Sequence, residues 1–350
     1  MNAIDQHNES QLTRFRRCRD CTRTGRRLQD PATEHMALSH SMTARILVTG
    51  AAGFIGRNAL APLVAAGFEV HGCARGDAPY IDGVAWHRAD LMDAAARAAL
   101  IETVRPDTVL HCAWETEHGR FWNAPTNLDW VAASVDLMRR AADCGLSRFV
   151  GVGTCFEYSP QTAANCDETA TPIAPQTLYG TAKDACRRLV EGYARSTGLS
   201  WAWGRAFLLY GPGETETRLV PQVARRLLAG EPAPIGPGHR PRDFMDARDA
   251  GAALAALALS PVEGPVNIAT GHAATVAEVA TTLGRLAGRP DLVRVGALPD
   301  RDEPERIVAD VRRLTEEVGF RAIRPLEQGL AEALDWWRRH DAPVPAEAAR

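Results

Sequence analysis

The chain has 350 residues, 45% of them hydrophobic and 24% charged, with a formal net charge of −3 at pH 7. That is an ordinary globular composition, long enough to bury a substantial core. So mild a charge gives no reason to expect a nucleic acid partner, and no run of about 18 apolar residues suggests a membrane span.

Residues 1–42 are polar, with scattered arginines and no sustained periodicity, and read as a disordered extension. They contain no apolar signal-peptide core, so a cytoplasmic location is expected. Cys18-Arg19-Asp20-Cys21 is a lone CxxC. A zinc site there would need two further ligands, His35 and His40 being the candidates, and no metal is expected. The remaining cysteines (Cys73, Cys112, Cys144, Cys155, Cys166 and Cys186) mostly lie in apolar or strand-like settings and read as reduced and structural.

Regular structure is expected from Arg45, where Arg45–Thr49 forms a strand with an apolar centre. It runs into Gly50-Ala51-Ala52-Gly53-Phe54-Ile55-Gly56, a helix to about Ala66, and a second strand over Phe68–Cys73. The glycines, three apart, allow a tight turn (Gly50), close approach of a pyrophosphate (Gly53) and close packing of helix on sheet (Gly56). With Phe54 and Ile55 they form a dinucleotide site at a helix N-terminus. No acid stands at the second strand's tip, where a ribose hydroxyl would want one. Arg75 there would pair with a 2′-phosphate, so NADP(H) is expected, with Asp77 keeping NAD(H) as the alternative.

Val84–Arg88 reads as a third strand, ending at Asp90-Leu91, where the acid would meet the adenine. A helix over Ala94–Thr103 and a fourth strand over Thr108–Ala113 follow. Trp114–Trp122 combines large rings with polar groups, including His118, and is expected to line a substrate pocket. A helix over Asn127–Cys144 leads to a fifth strand, Arg148–Gly153, which delivers Thr154. The repeated alternation predicts an α/β Rossmann-type fold with a doubly wound parallel sheet.

Tyr179-Gly180-Thr181-Ala182-Lys183 opens a helix reaching about Thr197. Its i, i+4 spacing puts the phenol and the ammonium on one face. Lys183 is the only lysine in a chain that otherwise uses arginine. A nearby ammonium favours the phenolate, allowing Tyr179 to exchange protons near neutrality. Thr154 would hydrogen-bond the same substrate oxygen, so Thr154, Tyr179 and Lys183 are the expected catalytic set. Cys155 is adjacent but is expected to pack away from Thr154, without partners for a nucleophile.

Beyond Gly211 the chain is richer in Gly and Pro. It carries a helix near Leu219–Ala229, a turn-rich loop over Pro232–Pro241, a helix over Asp246–Leu259, a strand near Pro265–Ala269 and a final helix over Leu326–Arg338. Arg240, Arg242 and Arg248 are candidates for neutralising a diphosphate. Arg301 and Arg306 lie in a polar stretch that would reach the same ligand. Residues 43–210 are expected to be mainly the cofactor-binding part and 211–340 mainly a smaller, interleaved substrate-binding lobe. Segments around 243–270 would return to the core, and 341–350 would be a loose tail.

Thr49–Gly56, Asp90-Leu91, Tyr179–Lys183 and Arg242-Asp243-Phe244-Met245-Asp246 together resemble the extended short-chain dehydrogenase/reductase family, in its nucleotide-sugar epimerase/dehydratase/reductase branch, over roughly residues 44–335. The resemblance implies Tyr179 as acid/base, Lys183 also holding the nicotinamide ribose, Thr154 in the serine/threonine role, and Phe207-Leu208-Leu209-Tyr210 along the nicotinamide. It also implies that Arg242 and Asp243 close a nucleotide-sugar site, and that the protein is a homodimer. Two departures are Trp114, where a small residue is usual, and Thr154-Cys155-Phe156, which lacks the Asp–Glu pair of dehydratases. A reductase of a nucleotide-linked 4-keto-6-deoxyhexose is therefore the leading expectation. The alternatives are a nucleotide-sugar epimerase with tightly bound NAD and, less favoured, a non-catalytic cofactor-sensing protein.

Overall fold

A computed structural model describes residues 43–117, 121–159, 164–300 and 303–340. The N-terminal extension with its CxxC, His118, Arg301 and the last ten residues lie outside them.

Apolar and β-branched runs form a seven-stranded sheet in the order β10-β6-β5-β4-β1-β2-β3, every pair parallel. Its strands are β1 (Arg45–Thr49), β2 (Glu69–Ala74), β3 (Val84–Arg88), β4 (Thr108–His111), β5 (Arg148–Thr154), β6 (Ser200–Ala206) and, after three strands of the smaller lobe, β10 (Gly264–Ile268). Helices cover both faces, as a parallel sheet requires. On one face α1 (Gly56–Ala65) brings Ala59, Leu60 and Leu63 against the alanine- and leucine-rich α6 (Ala247–Leu259). On the other, α2 (Ala94–Val104), α3 (Thr126–Asp143) and α4 (Leu178–Thr197) bury Leu100, Ile101, Leu137, Met138, Cys186 and Val190. The Rossmann-type fold expected from the sequence is thus the one observed.

The smaller lobe has its own core, containing Tyr210, Leu227, Phe244, Leu283, Leu330 and Trp337. Its three-stranded sheet joins β7 (Leu208–Tyr210), β9 (Pro241–Asp246) and β11 (Ala273–Thr275), with α5 (Leu219–Ala229), α7 (Val276–Leu286) and α8 (Leu326–His340) around it. The stretch expected to be only a loop, Pro232–Pro241, includes β8 (Ala233–Pro234), which pairs with β12 (Val293–Arg294). No helix among the described residues is long and apolar enough to cross a membrane.

Strand order reverses at β1, flanked by β2 on one side and β4 on the other. Ligands of open α/β sheets gather at such a point, beyond the carboxyl ends of the strands.

Candidate functional site

The turn from β1 to α1 stands at that reversal. Gly50 has φ +63°, and a Cβ on it would lie 2.8 Å from the Ala113 backbone nitrogen. A Cβ on Gly56 would lie 2.4 Å from the Gly50 carbonyl, so both positions demand glycine. Gly53 is exposed. The first turn of α1 has no side-chain cap and no acid, so its N-terminal end presents positive dipole with no carboxylate to repel an anion. The crevice therefore fits a dinucleotide pyrophosphate on the chain's own geometry. Asp90 follows β3, where its carboxylate accepts from the Met92 amide at 3.0 Å, and Leu91 beside it is buried.

β5 ends in Thr154, whose hydroxyl caps the short turn Cys155–Glu157 by accepting from the Phe156 amide at 3.3 Å. Thr177 caps α4, accepting from the Gly180 amide at 3.1 Å. Gly180 lets this helix end approach the turn closely, since a Cβ there would stand 2.4 Å from the Phe156 carbonyl. That packing brings Tyr179 beside Thr154, whose hydroxyl favours the phenolate form of the phenol. One helical turn on, Lys183 donates to the Val152 carbonyl at 2.7 Å, and its ammonium lies 6.0 Å from the Tyr179 ring centre. All three side chains are buried, and the sequence-expected trio is therefore one spatial cluster.

Burial shifts both titrating groups toward neutrality. It pushes the Tyr179 phenol up, against the lowering influence of the neighbouring Thr154 and of the Arg218 charge. It draws Lys183 down to about 8. The expected lowering of the phenol by the lysine is thus outweighed by desolvation. Cys155 packs in a separate cluster with Tyr158, Cys166 and Phe207, and burial raises its thiol, so it offers no thiolate.

Aromatic rings enclose Tyr179. Phe121 and Trp122 meet it edge-on at 4.8 and 5.9 Å, and Trp114 does so at 6.5 Å. Trp114 donates to Asn127 at 2.9 Å, and Asn127 donates in turn to the Phe121 and Ala124 carbonyls. Of the Trp114–Trp122 segment, Trp114, Phe121 and Trp122 therefore face the cluster. Sequence reasoning missed Asn127, and it missed Arg218, just before α5, whose guanidinium lies 5.7 Å from the Phe121 ring. Arg218 acts across a long sequence separation that no local motif announces, whereas Asn127 acts on its own neighbourhood, Phe121, Ala124 and Trp114, through a loop conformation that spacing does not reveal.

The three arginines offered for a diphosphate are all engaged by carboxylates. Arg240 pairs with Asp300 at 2.7 Å, Arg242 with Glu303 at 3.0 Å, and Arg248 with Asp246 at 2.6 Å. Arg242 is buried in β9, and Asp243 beside it accepts from Thr270, Gly271 and Ala309, knitting loops of the lobe. Arg306 donates to Asn165.

Residues 46–269 match the NAD dependent epimerase/dehydratase family. The dTDP-6-deoxy-L-talose 4-dehydrogenase (NAD(P)(+)) of Kitasatospora kifunensis is 30% identical over 88% of this chain and 100% of its own length. Among solved structures, MoeE5 in complex with UDP-glucuronic acid and NAD is 29% identical, with a TM-score of 0.73 over 85% of this chain and 100% of that one. The UDP-glucose 4-epimerase of Thermus thermophilus in complex with NAD is 26% identical, with a TM-score of 0.74 over 84% of this chain and 99% of that one.

These solved relatives correct the expectation of NADP(H), because the cofactor they hold is NAD. The structure supplies a physical reason. Arg75 is exposed and stands 3.9 Å from Glu115, so the cation meant for a 2′-phosphate sits beside a carboxylate that would repel one. Such an exposed pair is worth about 0–1 kcal/mol. Replacing Arg75 by Ala is expected to leave NAD affinity within about threefold of the parent by calorimetry. A loss of tenfold or more would give Arg75 a direct part in holding the cofactor.

Proposed function

The chain belongs to the NAD dependent epimerase/dehydratase family, and from that membership we propose that it is a nucleotide-sugar 4-epimerase working with bound NAD. At the coarser level it is an oxidoreductase of a nucleotide-activated sugar. The observation that carries the reading is the buried cluster of Thr154 and Tyr179, with Lys183 one turn along the same helix as Tyr179.

The glycine turn and the N-terminus of α1 would hold the pyrophosphate, and Lys183 a ribose hydroxyl of the cofactor. NAD, when bound, supplies reversible hydride acceptance from carbon. Thr154 orients the reacting sugar oxygen. Tyr179 takes that oxygen's proton as the alcohol becomes a ketone and returns it when the alcohol re-forms on the other face. Positive charge at Lys183 and Arg218 favours the phenolate in the first half of this cycle.

Epimerisation consumes no cofactor, which suits a tightly held NAD. Water elimination needs further acid–base groups. The positions after Thr154 provide only Cys155, a thiol raised by burial, and Phe156, while Glu157 is bound to Arg205 at 2.7 Å. Reduction of a 4-keto sugar is the second reading, supported by the likeness to the Kitasatospora dehydrogenase.

Protein as purified, given UDP-glucose or UDP-glucuronic acid and no added cofactor, is expected to form the 4-epimer and to release NAD on denaturation. No turnover under those conditions, combined with NADH oxidation by a nucleotide-linked 4-keto-6-deoxyhexose, would replace the epimerase with a reductase.

A further inference from the structure

Lys183 is the sole lysine of the chain and is 3% exposed. A buried ammonium needs partners that replace its hydration. The Val152 carbonyl is one, at 2.7 Å. The titratable groups facing Lys183 are His111 and Cys112 from the end of β4, Tyr179 and Cys186 from α4, and Glu157 from the turn after β5. His111, held by burial at about 3, is neutral and bonded to Thr49 and to Ser134 of α3. Burial raises the thiols of Cys112 and Cys186 to about 12 and about 11. Glu157 is taken by Arg205, Trp203 and the Thr154 amide. Among the described residues, no carboxylate is paired with this ammonium.

Its second partner is a ring. The Lys183 ammonium stands 3.9 Å from the ring centre of Trp114. That indole is held by the Asn127 hydrogen bond and by stacking on Trp130, at 6.0 Å and 25°.

We propose that Trp114 is a positioning residue for the lone lysine, its indole face holding the Lys183 ammonium charged and in place beside Tyr179. An indole attracts a desolvated cation more strongly than any other side-chain ring. It thus opposes the burial that draws Lys183 toward neutrality. The bearing on turnover rests on the acid–base reading above, whereas the bearing on the lysine's charge does not.

A single lysine allows a direct test. Protein labelled with ¹³Cε-lysine gives one lysine side-chain signal, which can be titrated with pH in the NAD-loaded protein. Three altered forms are compared with the parent: Trp114→Leu, Trp114→Phe, and the unmutated chain grown on difluorotryptophan, whose ring face is less negative but whose shape is kept. The ε-carbon protons of the parent are expected upfield under the indole ring current, and that displacement is lost in Trp114→Leu. The titration midpoint is expected to fall by about one pH unit in Trp114→Leu, and by less in the Phe and fluorinated forms. The alkaline limb of kcat should move with it while KM holds.

An unchanged midpoint in the Phe and fluorinated forms, which keep a ring in place, overturns the proposal even if the Leu variant does not fold. A loss of kcat equal at every pH overturns the link to turnover. Inactivity of the parent on all nucleotide sugars would remove the functional reading and leave the titration intact.

Discussion

Tyr179→Phe is expected to lower kcat by about 10²–10⁴ while the protein still folds and still carries NAD. The variant keeps the ring in its cage, since Phe121, Trp122 and Trp114 contact its edges and face and none depends on the hydroxyl. What the proposed mechanism loses is the group that would exchange a proton with the sugar oxygen, together with the contact of its hydroxyl with Thr154. Any single hydrogen bond lost with the hydroxyl would cost about 0.5–1.5 kcal/mol, far too little to unfold the domain. KM should change little, because an interaction made only in the transition state is removed. Steady-state kinetics and the absorbance of released NAD check both halves. A kcat within about threefold of the parent would displace Tyr179 from the acid–base role, since proton transfer by a positioned side chain contributes at least about a hundredfold.

The glycine turn and the Tyr179–Lys183 pair are legible in the sequence because their constraints are local. Gly50, Gly53 and Gly56 act within one turn, and Tyr179 and Lys183 within one helical turn, so spacing alone carried their geometry. Other features depended on partners far along the chain. Gly151 and Gly153 read as ordinary residues of a buried strand. They are glycines because the Trp203 indole lies against them, where a Cβ would stand 2.2 and 2.0 Å from its atoms. For Arg240, Arg242 and Arg248 the sequence shows a cation and hides its carboxylate partner, which for Arg240 lies 60 residues away in Asp300. Helix α7 went unread although Thr275 and Glu278 form a reciprocal capping box at its start, a signal that was present in the sequence.

Glu157 makes the same point with a larger consequence. It is wholly buried, and its carboxylate accepts from the Thr154 amide at 2.9 Å, from the Trp203 indole at 2.9 Å and from Arg205 Nε at 2.7 Å. Arg205, 1% exposed, continues to the Tyr158 hydroxyl, which donates to Asn267. Glu157→Gln removes the only carboxylate paired with Arg205 among the described residues and places an amide NH₂ amid groups that all donate. Breaking a buried pair from one side costs about 3–5 kcal/mol, because a desolvated charge is left uncompensated. Urea unfolding should show that loss as a lower midpoint at an unchanged slope. Replacing both partners, as Glu157→Gln with Arg205→Met, should recover part of it, since the stranded charge is then gone. A single-variant loss under about 1 kcal/mol would mean that Arg205 is solvated in the native state, contrary to its burial. The network also ends on the Thr154 amide, so the folded Glu157→Gln fraction should turn over more slowly than the parent. In the proposed mechanism, loosening the strand end that carries the Thr154 hydroxyl would cost orientation at the reacting oxygen, with Glu157 acting only through Thr154.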